Sequence, residues 1–272
     1  MRQRVFPLII GALLIGAGAN AQLADDFNPP PGTCCLTGAA RNLADQLQDW
    51  NQLGRYHHAD QELKKQPADP HRIVFMGDSI TDFWRLEEYF AGQPYVNRGI
   101  SGQTTPQMLA RMYADVIDLK PAAMIVLAGT NDIAHNTGPT TAEMIEENIM
   151  AMTELAQHHG IKVILCSVTP VSDYPFIKQQ AAPPATPPPG RGQAPRARMT
   201  VGRPPADILK LNAWMNDYAA RVDAIYADYF TALADEKGFL KEPLSNDGLH
   251  PNAEGYKIMA PIAAAAIAKA LQ

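Results

Sequence analysis

Five short apolar runs, Ile73–Met76, Tyr95–Asn97, Ala123–Leu127, Lys162–Cys166 and Ala224–Ala227, are spread along the chain with helical patterns between them. Runs that are continuously apolar, rather than alternating, suit strands buried on both faces, and helix-covered parallel sheets supply that burial. Between the runs, Ile145, Ile149, Met152 and Ala156 recur at helical spacing behind a Thr140-x-x-Glu143 capping box. Ile208, Leu211, Met215 and Val222 repeat the pattern. The alternation predicts an α/β fold, a doubly wound parallel sheet with helices on both faces and a ligand site at the carboxyl ends of the strands. Pro261 falls inside the last helical pattern and is expected to kink or split it.

Two strings at opposite ends of the chain carry the chemistry. Gly77-Asp78-Ser79-Ile80 directly follows the first apolar run, and Asp247-Gly248-Leu249-His250-Pro251 lies near the C-terminus. A serine hydroxyl is a weak nucleophile and needs a base within hydrogen-bond reach and a third group to hold that base. His250 and Asp247 supply both, with a spacing that lets the carboxylate reach the ring nitrogen turned away from Ser79. Acyl transfer also needs donors aimed at an oxyanion. The loop Asn97-Arg98-Gly99-Ile100-Ser101-Gly102 offers the backbone N–H of Gly102, and Gly129-Thr130-Asn131-Asp132 offers the side-chain amide of Asn131.

With these motifs in place the chain resembles the SGNH hydrolases of the GDSL esterase/lipase superfamily. The family's four named positions fall on Ser79, Gly102, Asn131 and His250, and Asp247 completes the triad. The strings from Val74 to Asp82 and from Asn97 to Thr104 resemble the branch of the platelet-activating-factor acetylhydrolase catalytic subunits and their bacterial relatives, and the resemblance covers roughly residues 72–271. It implies a flavodoxin-like α/β/α sandwich around a five-stranded sheet, and a cofactor-free serine esterase whose oxyanion hole is made by Ser79, Gly102 and Asn131. Ile80 stands where the family name has leucine, an apolar exchange that leaves the nucleophile untouched. The rival serine-esterase fold needs Gly-x-Ser-x-Gly at its nucleophile, and Ile80-Thr81 does not fit.

The preferred substrates are short acyl esters, acetyl groups on carbohydrates or small alcohols above all, with lysophospholipase or arylesterase activity as the alternative. A non-catalytic binding module is disfavoured because all five site residues are present. Acyl transfer to another acceptor uses the same residues, and sequence does not separate it from hydrolysis.

At 272 residues the chain suits one domain, and a net charge of −5 without a basic face argues against nucleic-acid partners. Arg2 and Arg4 precede an apolar stretch from Val5 to Ala17 that is too short to span a bilayer, and Ala19-Asn20-Ala21 has the small residues of a cleavage site. Residues 1–21 therefore read as a signal peptide cleaved near Ala21, giving a secreted or periplasmic protein with no stable membrane insertion. Residues 22–38 read as an extended segment and 39–272 as the hydrolase domain. Within it, residues 39–63 are expected to be a helical preamble covering the sheet, with Leu43, Leu47 and Trp50 on one face.

Cys34, Cys35 and Cys166 lack metal-ligand spacing, as do the adjacent pairs His57-His58 and His158-His159, so no metal is expected. Cys166 reads as a buried thiol. Residues 179–205 hold eight prolines, counted as 183, 184, 187, 188, 189, 195, 204 and 205. This insertion is expected to lack helix and strand, and, following the fourth strand, to form part of the substrate rim through Arg191, Arg196, Arg198 and Arg203. Asp78 and Asp132 read as structural hydrogen-bonding groups, His135 as a loop residue, and Trp84 as a core anchor or an aromatic wall for substrate.

Overall fold

The computed structural model describes residues 47–181 and 198–272. The expected leader, the extended segment with Cys34 and Cys35, Leu43, and the insertion from 182 to 197 with Arg191 and Arg196 lie outside them. Helix α1 (Gly54–Lys64) precedes strand β1 (Ile73–Gly77). There follow β2 (Tyr95–Gly99), α2 (Thr105–Ala110), β3 (Ala123–Leu127), α3 (Ala142–His158), β4 (Lys162–Cys166), α4 (Pro205–Arg221), β5 (Ile225–Ala227) and α5 (Ala253–Ala270). The five strands form one parallel sheet in the order β2-β1-β3-β4-β5, so the doubly wound α/β/α sandwich expected from the sequence is the fold.

Within each strand successive side chains point to opposite faces. Val74, Met76, Met124, Val126, Val163 and Leu165 meet α2, α3 and α4 on one side. Ile73, Phe75, Ala123, Ile125, Leu127, Ile164 and Cys166 meet α5 and the aromatic group around Trp84 on the other. Both faces are buried, which is why β1, β3 and the body of β4 are apolar at every position rather than at alternate ones. Cys166 is a free, fully buried thiol, and burial pushes its pKa up to about 12, so it stays protonated and inert.

Register decides where the chemistry can sit. Gly77 pairs with Gly99 across β1 and β2, and with Leu127 across β1 and β3, so three strands end level and release three loops side by side. Gly99 must be glycine: a Cβ there would overlap the backbone nitrogen of Asp82, because the turn after β1 rests directly on the end of β2.

Several local expectations are corrected. Helix α3 starts one residue late, with Thr141 rather than Thr140 as its N-cap, its hydroxyl accepting from Met144 N–H at 3.2 Å. Among the described residues of the preamble, the longest helix is α1. Leu47 and Trp50 are exposed, and the buried contacts come instead from Tyr56, Asp60 and Leu63. Pro261 does not split α5. It lies on the exposed side of the helix, so the Lys257 carbonyl it leaves without a helical partner faces water. The insertion is not wholly irregular: a helix covers Tyr174–Ala181, a helical turn covers Met199–Gly202, and Pro205 opens α4, where its missing N–H costs nothing. No helix among the described residues is long and apolar enough to cross a membrane.

Candidate active site

Ser79 opens the helical turn Ser79–Asp82 at the end of β1, with the Asp78 carboxylate capping the turn by accepting from Ile80 N–H at 2.9 Å. The Ser79 hydroxyl lies 2.9 Å from His250 Nε2. His250 Nδ1 is 2.6 Å from Asp247 Oδ2, while Asp247 Oδ1 accepts the backbone N–H groups of His250 and Leu249, each at 2.9 Å. One carboxylate oxygen thus fixes the ring and the other fixes the loop. An Nδ1–H donated to Asp247 leaves Nε2 as the acceptor for the serine proton. Burial alone would raise the Asp247 carboxyl. The hydrogen bonds from the His250 ring and from the two backbone N–H groups outweigh it and hold the group well below the usual carboxylate range.

The Asp247–His250 loop reaches the site through Gly248, whose φ of +88° belongs to the left-handed region. Its carbonyl accepts from Ser172 N–H at 2.8 Å, and a Cβ on it would overlap the Ser172 carbonyl. The segment after β4 therefore braces the base.

Gly102, exposed and at φ +83°, lies on the loop released by β2. Asn136 Nδ2 donates to its carbonyl at 3.2 Å. Asn131, on the turn Thr130–Ile133 after β3, donates from Nδ2 to the Gln103 carbonyl at 3.1 Å, which locks the two candidate oxyanion loops together. Asp132 bridges in the same sense: it accepts from Thr105 N–H at 2.9 Å and from the Thr105 hydroxyl at 2.6 Å, in keeping with a structural role. All five expected site residues thus stand on neighbouring loops at one edge of the sheet.

Asp78 has a second feature. Its Oδ2 is buried with no hydrogen-bond partner, and burial pushes the carboxyl up to about 6 from 3.8. A carboxyl whose folded value is raised stabilises the fold most fully below about pH 4 and loses that contribution as pH rises through about 6. Wild type should therefore lose about 2 to 3 kcal/mol relative to Asp78→Asn between pH 4 and 7. Urea unfolding of both proteins across that range checks it, and parallel stability curves would refute it.

One site residue was not singled out from sequence, and a second was expected in a different role. Trp84 proves to be core, 2% exposed and stacked on Tyr256 at 5.3 Å. The aromatic beside the base is its neighbour Phe83, 53% exposed, with its ring 5.2 Å from that of His250. The signal was available: Phe83 is four residues after Ser79, which puts both on one side of a helical turn. Arg203, expected on the substrate rim, is turned onto the Asn131 turn: its Nε donates to the Thr130 hydroxyl at 3.0 Å and its Nη2 donates to Asn131 Oδ1 at 3.1 Å. Arg198, expected on the same rim, is instead paired with Asp173 at 3.1 Å. His135 is an exposed loop residue beside a cavity of about 260 Å³ lined also by Ile133, Ile145 and Leu211. Among the described residues no three His, Cys, Asp or Glu side chains converge as a metal ion requires.

This geometry is matched by kinship. Residues 75–258 match the GDSL-like Lipase/Acylhydrolase family, and the chain belongs to that family. Its motifs and fold are those of the SGNH superfamily. A candidate acylhydrolase from Bacteroides fragilis, known from its crystal structure, is 36% identical with a TM-score of 0.69, over 82% of this chain and 99% of that one. Esterase TesA of Pseudomonas aeruginosa is 29% identical over 39% of this chain and 58% of its own. A mutant of an acetyl-xylooligosaccharide esterase from Geobacillus stearothermophilus shares the fold at 20% identity, with a TM-score of 0.54 over 72% of this chain and 94% of that one. The chain spans about half the length of the curated relatives it matches.

Proposed function

We propose that this chain is an exported serine esterase that cleaves short-chain, acetyl-type esters through an acyl-enzyme on Ser79. The observation that carries the reading is the continuous hydrogen-bonded line from Ser79 Oγ through His250 to Asp247, at 2.9 and 2.6 Å. In this mechanism His250 Nε2 takes the serine proton as Oγ attacks the ester carbonyl. The N–H groups of Ser79 and Gly102 and the amide of Asn131 stabilise the oxyanion. His250 then protonates the departing alcohol, activates a water against the acyl-enzyme, and returns the proton to Ser79. Asp247 stabilises the imidazolium formed at each transfer.

The acetyl preference rests on export, since an exported enzyme meets polymeric and glycosidic esters, and on a fold shared with an acetyl-xylooligosaccharide esterase. The exposed ring of Phe83 beside His250 supports a second reading, in which an aryl or lipid alcohol packs on that ring. p-Nitrophenyl esters from C2 to C12, run beside acetylated xylan and glucose pentaacetate, separate the two. A maximum at C2 to C4 is expected; rates climbing to C8 and beyond would transfer the assignment to lipase-like chemistry. Adding competing alcohols and quantifying transfer product against free acid tests hydrolysis over acyl transfer.

Export rests on Arg2, Arg4, the apolar stretch and Ala19-Asn20-Ala21. Mass analysis of the mature protein should find a start at or near Gln22, and an intact Met1 would contradict export by this route.

A further inference from the structure

An amide side chain at an oxyanion site is useful in only one of its two orientations. Asn131 must turn Nδ2 toward the oxyanion, yet its oxygen and nitrogen differ little in shape, so the hydrogen bonds around it decide which way it faces. Two contacts do so. Nδ2 donates one of its hydrogens to the Gln103 carbonyl at 3.1 Å, and Oδ1 accepts from Arg203 Nη2 at 3.1 Å. Reversing the amide would set oxygen against the Gln103 carbonyl and N–H against the guanidinium, two repulsive pairings in place of two attractive ones. Arg203 also donates from Nε to Thr130 at 3.0 Å, so its planar fork grips two consecutive residues of the turn.

The arginine is itself held. The Asp173 carboxylate accepts from Arg198 Nε at 3.1 Å, from Thr200 N–H at 3.1 Å and from the Thr200 hydroxyl at 2.6 Å, pinning the chain where it returns from the proline-rich insertion. Arg203 N–H closes the helical turn onto the Met199 carbonyl at 3.0 Å. Pro204 restricts the Arg203 backbone to an extended conformation, observed at φ −138° and ψ 76°. Asp173 is next to Ser172, the residue that braces Gly248. The return of the insertion is thus anchored to the loop that carries the base and delivers its last arginine to the loop that carries Asn131.

We propose that Arg203 is a positioning residue of the esterase: it fixes the orientation of the Asn131 amide and, by placing positive charge on Oδ1, strengthens the remaining Nδ2–H as a donor to the oxyanion. The inference rests on the assignment of Asn131 to the oxyanion hole. A cation on the carbonyl end of an amide polarises its N–H groups, and in a half-buried site that polarisation is poorly screened. The partner it favours is the negative oxygen of the transition state, so its loss should appear in kcat rather than KM.

The experiment is a double-mutant cycle on a p-nitrophenyl acetate assay with Arg203→Met, Asn131→Ala and the double variant, and with Arg203→Lys as a parallel series that keeps the charge. Asn131→Ala is expected to lower kcat by ~10² to 10³. Arg203→Met should lower kcat about tenfold with KM changed by less than about threefold, and in the Asn131→Ala background it should cost less than about twofold, because its target is gone. Arg203→Lys should recover part of the loss, since a single ammonium cannot grip Thr130 and Asn131 together. A full tenfold loss in the Asn131→Ala background, or a loss confined to KM, would overturn the inference while leaving the oxyanion assignment standing. An unchanged kcat in Asn131→Ala would overturn that assignment and the inference together. If Arg203→Met does not fold, the lysine series completes the same cycle and is decided by the same two results.

Discussion

Ser79→Ala should lower kcat by at least ~10³, with folding unchanged, because it deletes the one atom that forms the covalent bond and leaves binding and oxyanion stabilisation in place. The serine is small and 7% exposed, and its hydroxyl is engaged by His250, so alanine removes chemistry with little packing. His250→Ala should cost about as much, since a serine without its base is nearly as inert as no serine. The two losses should not multiply: the double variant should be within a few-fold of either single one. Rates on p-nitrophenyl acetate, with circular dichroism as the folding control, decide it. A Ser79→Ala protein that folds normally and keeps more than about a tenth of wild-type turnover would end the case for this nucleophile.

The largest stability effect is expected at Arg111. Its side chain is completely buried against Asp115, also buried, with Nη1 to Oδ2 at 2.8 Å. The same guanidinium donates to Gln103 Oε1 at 2.7 Å and to the Gly77 carbonyl at 3.2 Å. It therefore ties the strand end before Ser79 to the residue after Gly102. Arg111→Met strands a carboxylate in the core and should cost about 3 to 5 kcal/mol. Gly77 keeps a partner, because Ile100 N–H also donates to its carbonyl at 3.0 Å, so the cost comes mainly from the orphaned charge. Removing that charge as well, in Arg111→Met with Asp115→Leu, should recover much of the loss, since a buried ion pair seldom outperforms an apolar pair of similar volume. Urea unfolding reads both. A single variant losing under about 1 kcal/mol would show that the Asp115 charge is not buried in the way the contacts describe.

The sheet could be read from sequence because burial on both faces leaves a mark on every residue of a strand, and Ile73–Met76 and Ala123–Leu127 carry it fully. Strand ends were harder. Asn97, Arg98 and Gly99 are polar or small, yet all belong to β2, paired with Phe75, Met76 and Gly77, with Asp60 and Tyr56 as side-chain partners of Arg98 and Gly99. Those partners come from α1, tens of residues earlier, and no local pattern announces them. The five candidate site residues were legible because acyl transfer demands particular atoms at particular loop positions. Arg203 was named for the substrate rim, but its grip on Asn131 was not legible, for it depends on where a proline-rich excursion comes back, a fact of tertiary structure alone. Phe83 and Trp84 are adjacent aromatics that diverge, one toward His250 and one into the core, and the four-residue spacing from Ser79 is the mark that sets Phe83 apart.

The level ending of β1, β2 and β3 places the candidate nucleophile and two candidate oxyanion loops on the first three strands, whereas the proposed base and carboxylate arrive only after β5, immediately ahead of α5. A polypeptide emerging from the ribosome N-terminus first therefore carries an unarmed serine until every strand of the sheet has been made. In the folded chain His250 reaches Ser79 from the loop immediately ahead of α5. Truncation before Asp247 should therefore yield an inert product, since it removes both partners that Ser79 needs.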